Sequence, residues 1–451
     1  MGEEWHRQTA CELGDGIGHG DIDPRDLCEH FLARIAAQDP DHLIYLRTTV
    51  DRARDEAAAA AARAADGRRR SRLDGVPISW KDLYDTAGVA TEGGTPLLAG
   101  RVPKHDARVL QRATRAGCVC LGKTNTVQFA LGGIGSNPAT GTPPSTAMTD
   151  VPRAPGGSSS GAATSVAHGL APIGIGSDTG GSVRIPSAWN RLVGLKTSFG
   201  ALPLDGVLPL SPSLDTVGPL TKSVADAAEI FIIMAARKPL DLSHASLDGA
   251  RFLVAESVVW RDVAPEVDSA VKAAIAQLEA AGATVDWAPI PEFEDIDRIL
   301  NTLGGVVTAE GYVTWKTLID EHGDQIDPAV LARFHQGRDM SASDLLTVAA
   351  AAKTLSQSLG RRLAGYSALL APTIPILPPP LADVTADLDA YSAANAKALR
   401  NTRLGNMLPM CALTLPCPAT ELPVGLMAMA PLGDDGRLLR LGAAMEAGLA
   451  S

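Results

Sequence analysis

The chain has 451 residues, 45% of them hydrophobic and 20% charged, enough apolar material for a large buried core. A formal net charge of −11 at pH 7 argues against nucleic acid or an anionic membrane as partner. Six scattered cysteines form no disulfide framework, no apolar run approaches the roughly 20 residues of a membrane span, and the start Met1-Gly2-Glu3-Glu4-Trp5-His6 lacks a signal-peptide pattern, so a cytoplasmic enzyme is expected.

Asp23-Pro24 reads as an N-cap followed by proline in the first helical turn, opening a helix to about Gln38. The Ala-rich stretch 57–65, with Arg52, Arg54, Asp55, Glu56 and Arg63 around it, predicts a surface helix. Residues 76–81 alternate as a strand. Asp106 is expected to begin a helix that stops at Gly117, and Cys118 to Leu121 to form a buried strand. A helix over 161–169 and a strand over 171–177 follow, then a helix capped by Ser223 that runs to about Ala235. Short strands are expected over 251–255, 284–287 and 368–371, among further helices. Strands alternating with helices argue for an α/β fold. No linker, repeat or charge block divides the chain, so one domain over 1–451 is expected: an N-terminal helical segment to 70, a core over 73–230, and a helical stretch over 290–400.

Two glycine-serine segments carry the chemistry: Gly156-Gly157-Ser158-Ser159-Ser160-Gly161, and Gly176-Ser177-Asp178-Thr179-Gly180-Gly181-Ser182-Val183-Arg184. Each predicts a tight turn that offers hydroxyls and bare N–H groups to a carbonyl. Upstream, Val76-Pro77-Ile78-Ser79-Trp80-Lys81-Asp82 places one lysine in an apolar run. No histidine neighbours these turns. The set points to a serine activated by something other than imidazole. Burial would lower a lysine toward the working pH, where its neutral amine can act as the base.

These segments resemble the amidase signature family in order and spacing. Its lysine-aspartate pair corresponds to Lys81-Asp82, its G-G-S-S-[SG]-G to 156–161, and its D-T-G-G-S-[IV]-R to 178–184. Further stretches, among them Leu121 to Asn125, Val193 to Lys196, Ser213 to Pro219 and Leu422 to Leu426, also read like family members. The resemblance implies a large mixed central β-sheet covered by helices on both faces, and hydrolysis of amide C–N bonds through a Ser-cisSer-Lys triad. Ser182 would then be the nucleophile, with Ser158, on a cis peptide, relaying the proton to Lys81. Consecutive small residues at Thr179, Gly180 and Gly181 are expected to supply an oxyanion hole. The resemblance further implies that Ser159, Asp178 and Arg184 brace the loop. The segment holding Ala130, Leu131, Gly132, Gly133 and Ile134 would line the acyl pocket, and the 290–400 stretch would carry substrate contacts.

Three rival motifs are weaker. Gly117-Cys118-Val119-Cys120-Leu121-Gly122-Lys123-Thr124 fits the P-loop pattern, but a helix precedes it and its middle residues are apolar. Gly157 to Gly161 also fits the G-x-S-x-G elbow, but Val151-Pro152-Arg153-Ala154-Pro155 is a poor preceding strand. The nine histidines show no H-x-x-x-H pattern, and Cys118 and Cys120 read as buried thiols, so neither metal nor cofactor is expected.

Leu303, Tyr312, Trp315, Phe334 and Leu346 in the 290–400 stretch read more readily as core than as pocket. The pocket is expected to be apolar, suited to small alkyl or aryl amides, anilides or carbamates (urethanes), in a monomer or homodimer. An alternative within the family is the amidase component of a tRNA-dependent amidotransferase, which typically reads S-L-D-Q-I-G-P where this chain has Ser213-Leu214-Asp215-Thr216-Val217-Gly218-Pro219. Two stretches depart from the family pattern: Asn190-Arg191, where a glycine often follows, and Thr197-Ser198-Phe199-Gly200 in place of a Pro-containing turn.

Overall fold

A computed structural model describes residues 2–418 and 420–450; Met1, Ala419 and Ser451 lie outside the described residues, and with them the first residue of the N-terminal reading. Eleven strands form one sheet: β1 (Tyr45–Thr48), β2 (Pro77–Lys81), β3 (Val119–Thr124), β4 (Ile173–Ser177), β5 (Val193–Lys196), β6 (Val217–Thr221), β7 (Arg251–Glu256), β8 (Thr284–Pro289), β9 (Ala368–Pro372), β10 (Met410–Pro416) and β11 (Gly425–Pro431). Their spatial order is β1-β3-β2-β4-β6-β5-β10-β11-β9-β7-β8. β2 lies parallel to both β3 and β4, and β7 to both β8 and β9, while the remaining neighbours run antiparallel. The sheet is therefore mixed, as the family resemblance implied.

Period-two alternation divides the core between the two faces. Phe252, Val254, Leu370, Leu413, Leu426 and Ala428 join one apolar cluster, under the helices Val224–Ala235, Pro265–Ala280 and Asp435–Ala450. The alternate residues Leu253, Leu369, Ala412, Met427 and Met429 join another, under the helices Pro291–Leu303, Ala342–Arg362 and Leu388–Met407. Among the described residues no helix is long and apolar enough to cross a membrane.

The capping chemistry read from the sequence is present at Asp23, whose carboxylate accepts the Arg25 N–H at 2.8 Å, and at Ser223, whose hydroxyl accepts the Asp226 N–H at 3.1 Å. It fails at Asp106. That helix spans Arg108–Arg115, and the Asp106 carboxylate instead takes the Ala87 N–H and the Arg52 guanidinium. The Ala-rich helix, Val50–Ala65, turns Ala53, Ala57 and Ala60 inward. The N-terminal segment is not purely helical, because β1 interrupts it. The 290–400 stretch likewise contains β9.

The P-loop pattern resolves into a buried strand. β3 runs through Lys123, whose ammonium donates to the Tyr84 carbonyl at 2.6 Å and Thr91 Oγ1 at 2.8 Å, beside Asp82. Those groups occupy the lysine that a phosphate cradle would need. Cys118 and Cys120 are both buried, and burial pushes both thiols up.

Candidate active site

The parallel neighbours β2 and β4 end side by side, and each ends on a polar residue: Lys81 and Ser177. In such sheets the carboxyl ends of strands are where sites assemble. The Lys81 ammonium is fully buried, 2.7 Å from Ser158 Oγ, 2.9 Å from Ser177 Oγ and 3.1 Å from Ser159 Oγ. Burial lowers it to about 7, against the opposing pull of Asp178 and Asp215. Ser158 follows a cis peptide from Gly157, and Ser159 precedes the helix Ser160–Ala167.

The second turn lies against the first: the Ser159 N–H donates to the Ser182 carbonyl at 3.4 Å. Ser182 lines a cavity, together with Thr179 and Gly180. Its hydroxyl has no hydrogen-bond partner among the described residues. Lys81 thus contacts Ser158 and Ser159 of the first turn, and Ser182 faces the cavity.

Asp178 organises the turn. Its carboxylate accepts the N–H groups of Gly181 at 2.8 Å, Val183 at 3.2 Å and Arg184 at 3.4 Å. It also pairs with the Arg184 guanidinium at 2.9 and 3.0 Å and takes Asn406 Nδ2 at 3.0 Å. Burial alone would raise this carboxyl, but the Arg184 charge overrides it and holds it well below the usual carboxylate range. Asp178 and Arg184 are fully buried, so they form an internal brace and not a surface pair. One expectation is corrected here. The Gly181 N–H is taken up by Asp178, which leaves the Thr179, Gly180 and Ser182 N–H groups as the candidate oxyanion donors. Gly181 is required for another reason: at φ 140° a Cβ there would lie 2.2 Å from Thr402 Oγ1.

Sequence reasoning missed several supports. Asp215, quoted only as part of a family-like stretch, accepts Thr179 Oγ1 at 2.5 Å and the N–H groups of Leu210 and Ser211 at 2.9 and 3.0 Å, and burial raises it to about 6. Ser177 completes the hydroxyl cage around Lys81. The helix Leu388–Met407 contributes Thr402, which donates to the Gly180 carbonyl at 2.7 Å, Asn406, which bridges Asp178 and Arg184, and Asn395, which accepts the Gly133 N–H at 2.7 Å. No local pattern marks these residues, because their partners lie more than 200 positions away. At the first departure from the family pattern, Arg191 adopts φ 56°, the left-handed region where a glycine costs least.

The cavity measures about 390 Å³. Of the segment expected to line the acyl pocket, Ala130, Leu131 and Gly132 line this cavity. Gly133 and Ile134 do not: Gly133 is held by Asn395 and Gly157, and Ile134 packs behind the wall with Ile185 and Trp189. Tyr312, Trp315 and Phe334 pack with Phe129 as core, Leu303 packs on the sheet-side cluster, and Leu346 is exposed. Leu210, Leu300 and Val306 give the cavity an apolar wall, but Arg333, Tyr391 and Arg403 also line it. The pocket expected to be apolar therefore also carries two arginines and a tyrosine.

A family model described as Amidase matches residues 26–439. The 2-amino-5-chloromuconic acid deaminase of Comamonas testosteroni is 35% identical over 404 residues, covering 88% of this chain and 86% of that protein. A glutamyl-tRNA(Gln) amidotransferase subunit of Anaeromyxobacter dehalogenans is 32% identical over 479 residues, covering 96% of this chain and 95% of its own. A crystal structure of an amidase superposes with a TM-score of 0.87 at 31% identity, covering 98% of this chain and 99% of that one.

Proposed function

This chain belongs to the amidase family, and from that premise we propose that it is an amidohydrolase that cleaves small amides or carbamates through a serine acyl-enzyme. One observation carries the reading: a fully buried lysine, lowered to about 7, within 2.7 Å of Ser158 and beside the turn that bears Ser182. A neutral amine at that place is a competent base near neutral pH.

In this reading Ser182 Oγ attacks the carbonyl carbon and its proton passes through Ser158 to Lys81. The N–H groups of Thr179, Gly180 and Ser182 take the charge that develops on the carbonyl oxygen. The proton returns through Ser158 to the departing amine as the C–N bond breaks. A water molecule, deprotonated by the same pair, then attacks the ester carbon, releases the acid and restores Ser182. The wall of Leu210, Leu300 and Val306 suits the alkyl or aryl part of an amide, anilide or carbamate. Hydrolysis of acyl p-nitroanilides and aryl carbamates by the parent and by Ser182→Ala tests the reading. Turnover by the parent that vanishes in the variant is the expected result; equal turnover in both discards the assignment.

The full-length similarity to the amidotransferase component favours a second reading, in which the chain serves a tRNA-dependent complex. Against it stands Thr216 at the position of that subfamily's glutamine; here its hydroxyl donates to the Asp178 carbonyl at 2.6 Å. Purification with two partner chains would favour the second reading. Glutamine-independent turnover of simple amides by the isolated chain would exclude it.

A further inference from the structure

Fully buried cations in this protein have partners: Lys123 has Asp82 and Tyr84, Arg184 has Asp178 and Asn406, and Lys196 has the carbonyls of Thr197 and Met410. Arg333 is different. It projects from the helix Pro328–Asp339 into the cavity wall, set deep yet still reached by solvent, and makes no hydrogen bond or ion pair among the described residues. The titratable groups acting on it are Tyr391 and a second cation, Arg403. Arg403 lines the same cavity. One edge of its guanidinium is held by Asp297 at 2.5 Å and Asn301 at 2.7 Å, while its buried Nε has no partner. The described lining includes these two arginines and no aspartate or glutamate. Asp297 offsets the charge of Arg403, so in a chain of net charge −11 Arg333 is left as the cavity-lining cation without a countercharge among the described residues.

We propose that Arg333, with Arg403 beside it, forms an anion subsite in the same cavity as Ser182, and that the enzyme's substrates are amides that carry a carboxylate. A guanidinium is a planar fork of donors that matches a carboxylate two-to-two. A guanidinium with no protein partner gains a charge-assisted pair when a carboxylate ligand binds it, and neutral amides of the same shape leave it paired only with water. The apolar lining residues Leu210, Leu300 and Val306 would then contact the carbon chain between the amide and the carboxylate. This inference rests on the amidohydrolase reading for its placement of the scissile bond, but not for the anion site itself.

The test pairs glutaramate, a monoamide with a free carboxylate, with pentanamide, its neutral counterpart. The parent is expected to favour glutaramate in kcat/KM. In Arg333→Met that preference should fall by about 10- to 150-fold, the range of a charge-assisted hydrogen bond lost. Arg333→Lys, which keeps the charge but not the fork, should fall between them. Calorimetric binding of glutarate to Ser182→Ala, and to the same protein carrying Arg333→Met, provides a second readout independent of turnover. Glutarate bound by the first and lost from the second supports the subsite. Equal binding in both, or binding in neither, overturns it. If glutarate binds but no amide is hydrolysed, the amidohydrolase reading fails while the anion site stands. If both amides are cleaved equally well by the parent, the subsite fails while the amidohydrolase reading stands.

Discussion

Replacing Lys81 by methionine removes one titrating group while keeping a side chain of similar length in the same apolar slot. In the folded protein that lysine sits at about 7, because burial disfavours its charged form. In the unfolded chain it returns to about 10.4. Between those values the unfolded state binds one more proton than the folded state, so the parent gains stability as pH rises, by about 1.36 kcal/mol per pH unit. From about pH 7 to about pH 9.5 this accumulates to about 3 kcal/mol, and below about pH 7 the contribution levels off. Lys81→Met has no such slope. It also loses the contacts to Ser158, Ser159 and Ser177, about 1 kcal/mol each, but that loss is the same at every pH. Other buried lysines, such as Lys196 at about 8, titrate in both proteins and cancel in the difference. Urea unfolding of parent and variant across this range should therefore show the parent gaining on the variant as pH rises. The kcat/KM of the parent should climb with pH toward a plateau above about 7. Parallel stability curves would mean that Lys81 is charged in the folded protein, and the base assignment would be refuted.

Asp178→Asn leaves the Arg184 guanidinium buried without its countercharge and should cost about 3–5 kcal/mol in urea unfolding. A loss below about 1 kcal/mol would show that the pair is not the internal brace described. Gly132→Ala places a methyl 2.7 Å from the Tyr391 hydroxyl, at the cavity wall. Overpacking of this kind costs about 1–3 kcal/mol, and here it should appear as a raised KM, with kcat less affected. Unchanged kinetics would place substrate away from that wall.

The part of this protein most legible in its sequence is what backbone turns dictate. Gly180, Gly181, Ser158 and Ser182 lie in short segments whose conformations need small residues at fixed offsets. The apolar residues before Lys81 foreshadow its burial. Less legible is anything assembled across the sheet. β10 and β11 escape notice because their runs, Met410–Pro416 and Gly425–Pro431, resemble any buried segment until paired with each other. Asp106 looks like an N-cap, but a distant arginine and an N–H of a neighbouring loop compete for its carboxylate. Arg333 is hidden for a related reason. On a helix of mixed polarity it reads as solvated, and only the packing of helices from three parts of the stretch encloses it.

The helix Leu388–Met407 gives the molecule a property that neither turn has alone. At helical spacing, Asn395, Thr402 and Asn406 grip the main chain and the brace around Ser182, while Tyr391, Ser392, Ala396 and Leu399 border the cavity on the same rod. In the proposed reading, selectivity and the aim of the attack are thus mechanically ganged. Any sideways slip of this rod would retune both together. The positions open to change without disturbing the grip are Ser392 and Ala396, where new side chains alter the cavity border and leave the anchoring amides and hydroxyl in place. A library confined to those two positions would explore new substrates along a path on which the chemistry travels unchanged.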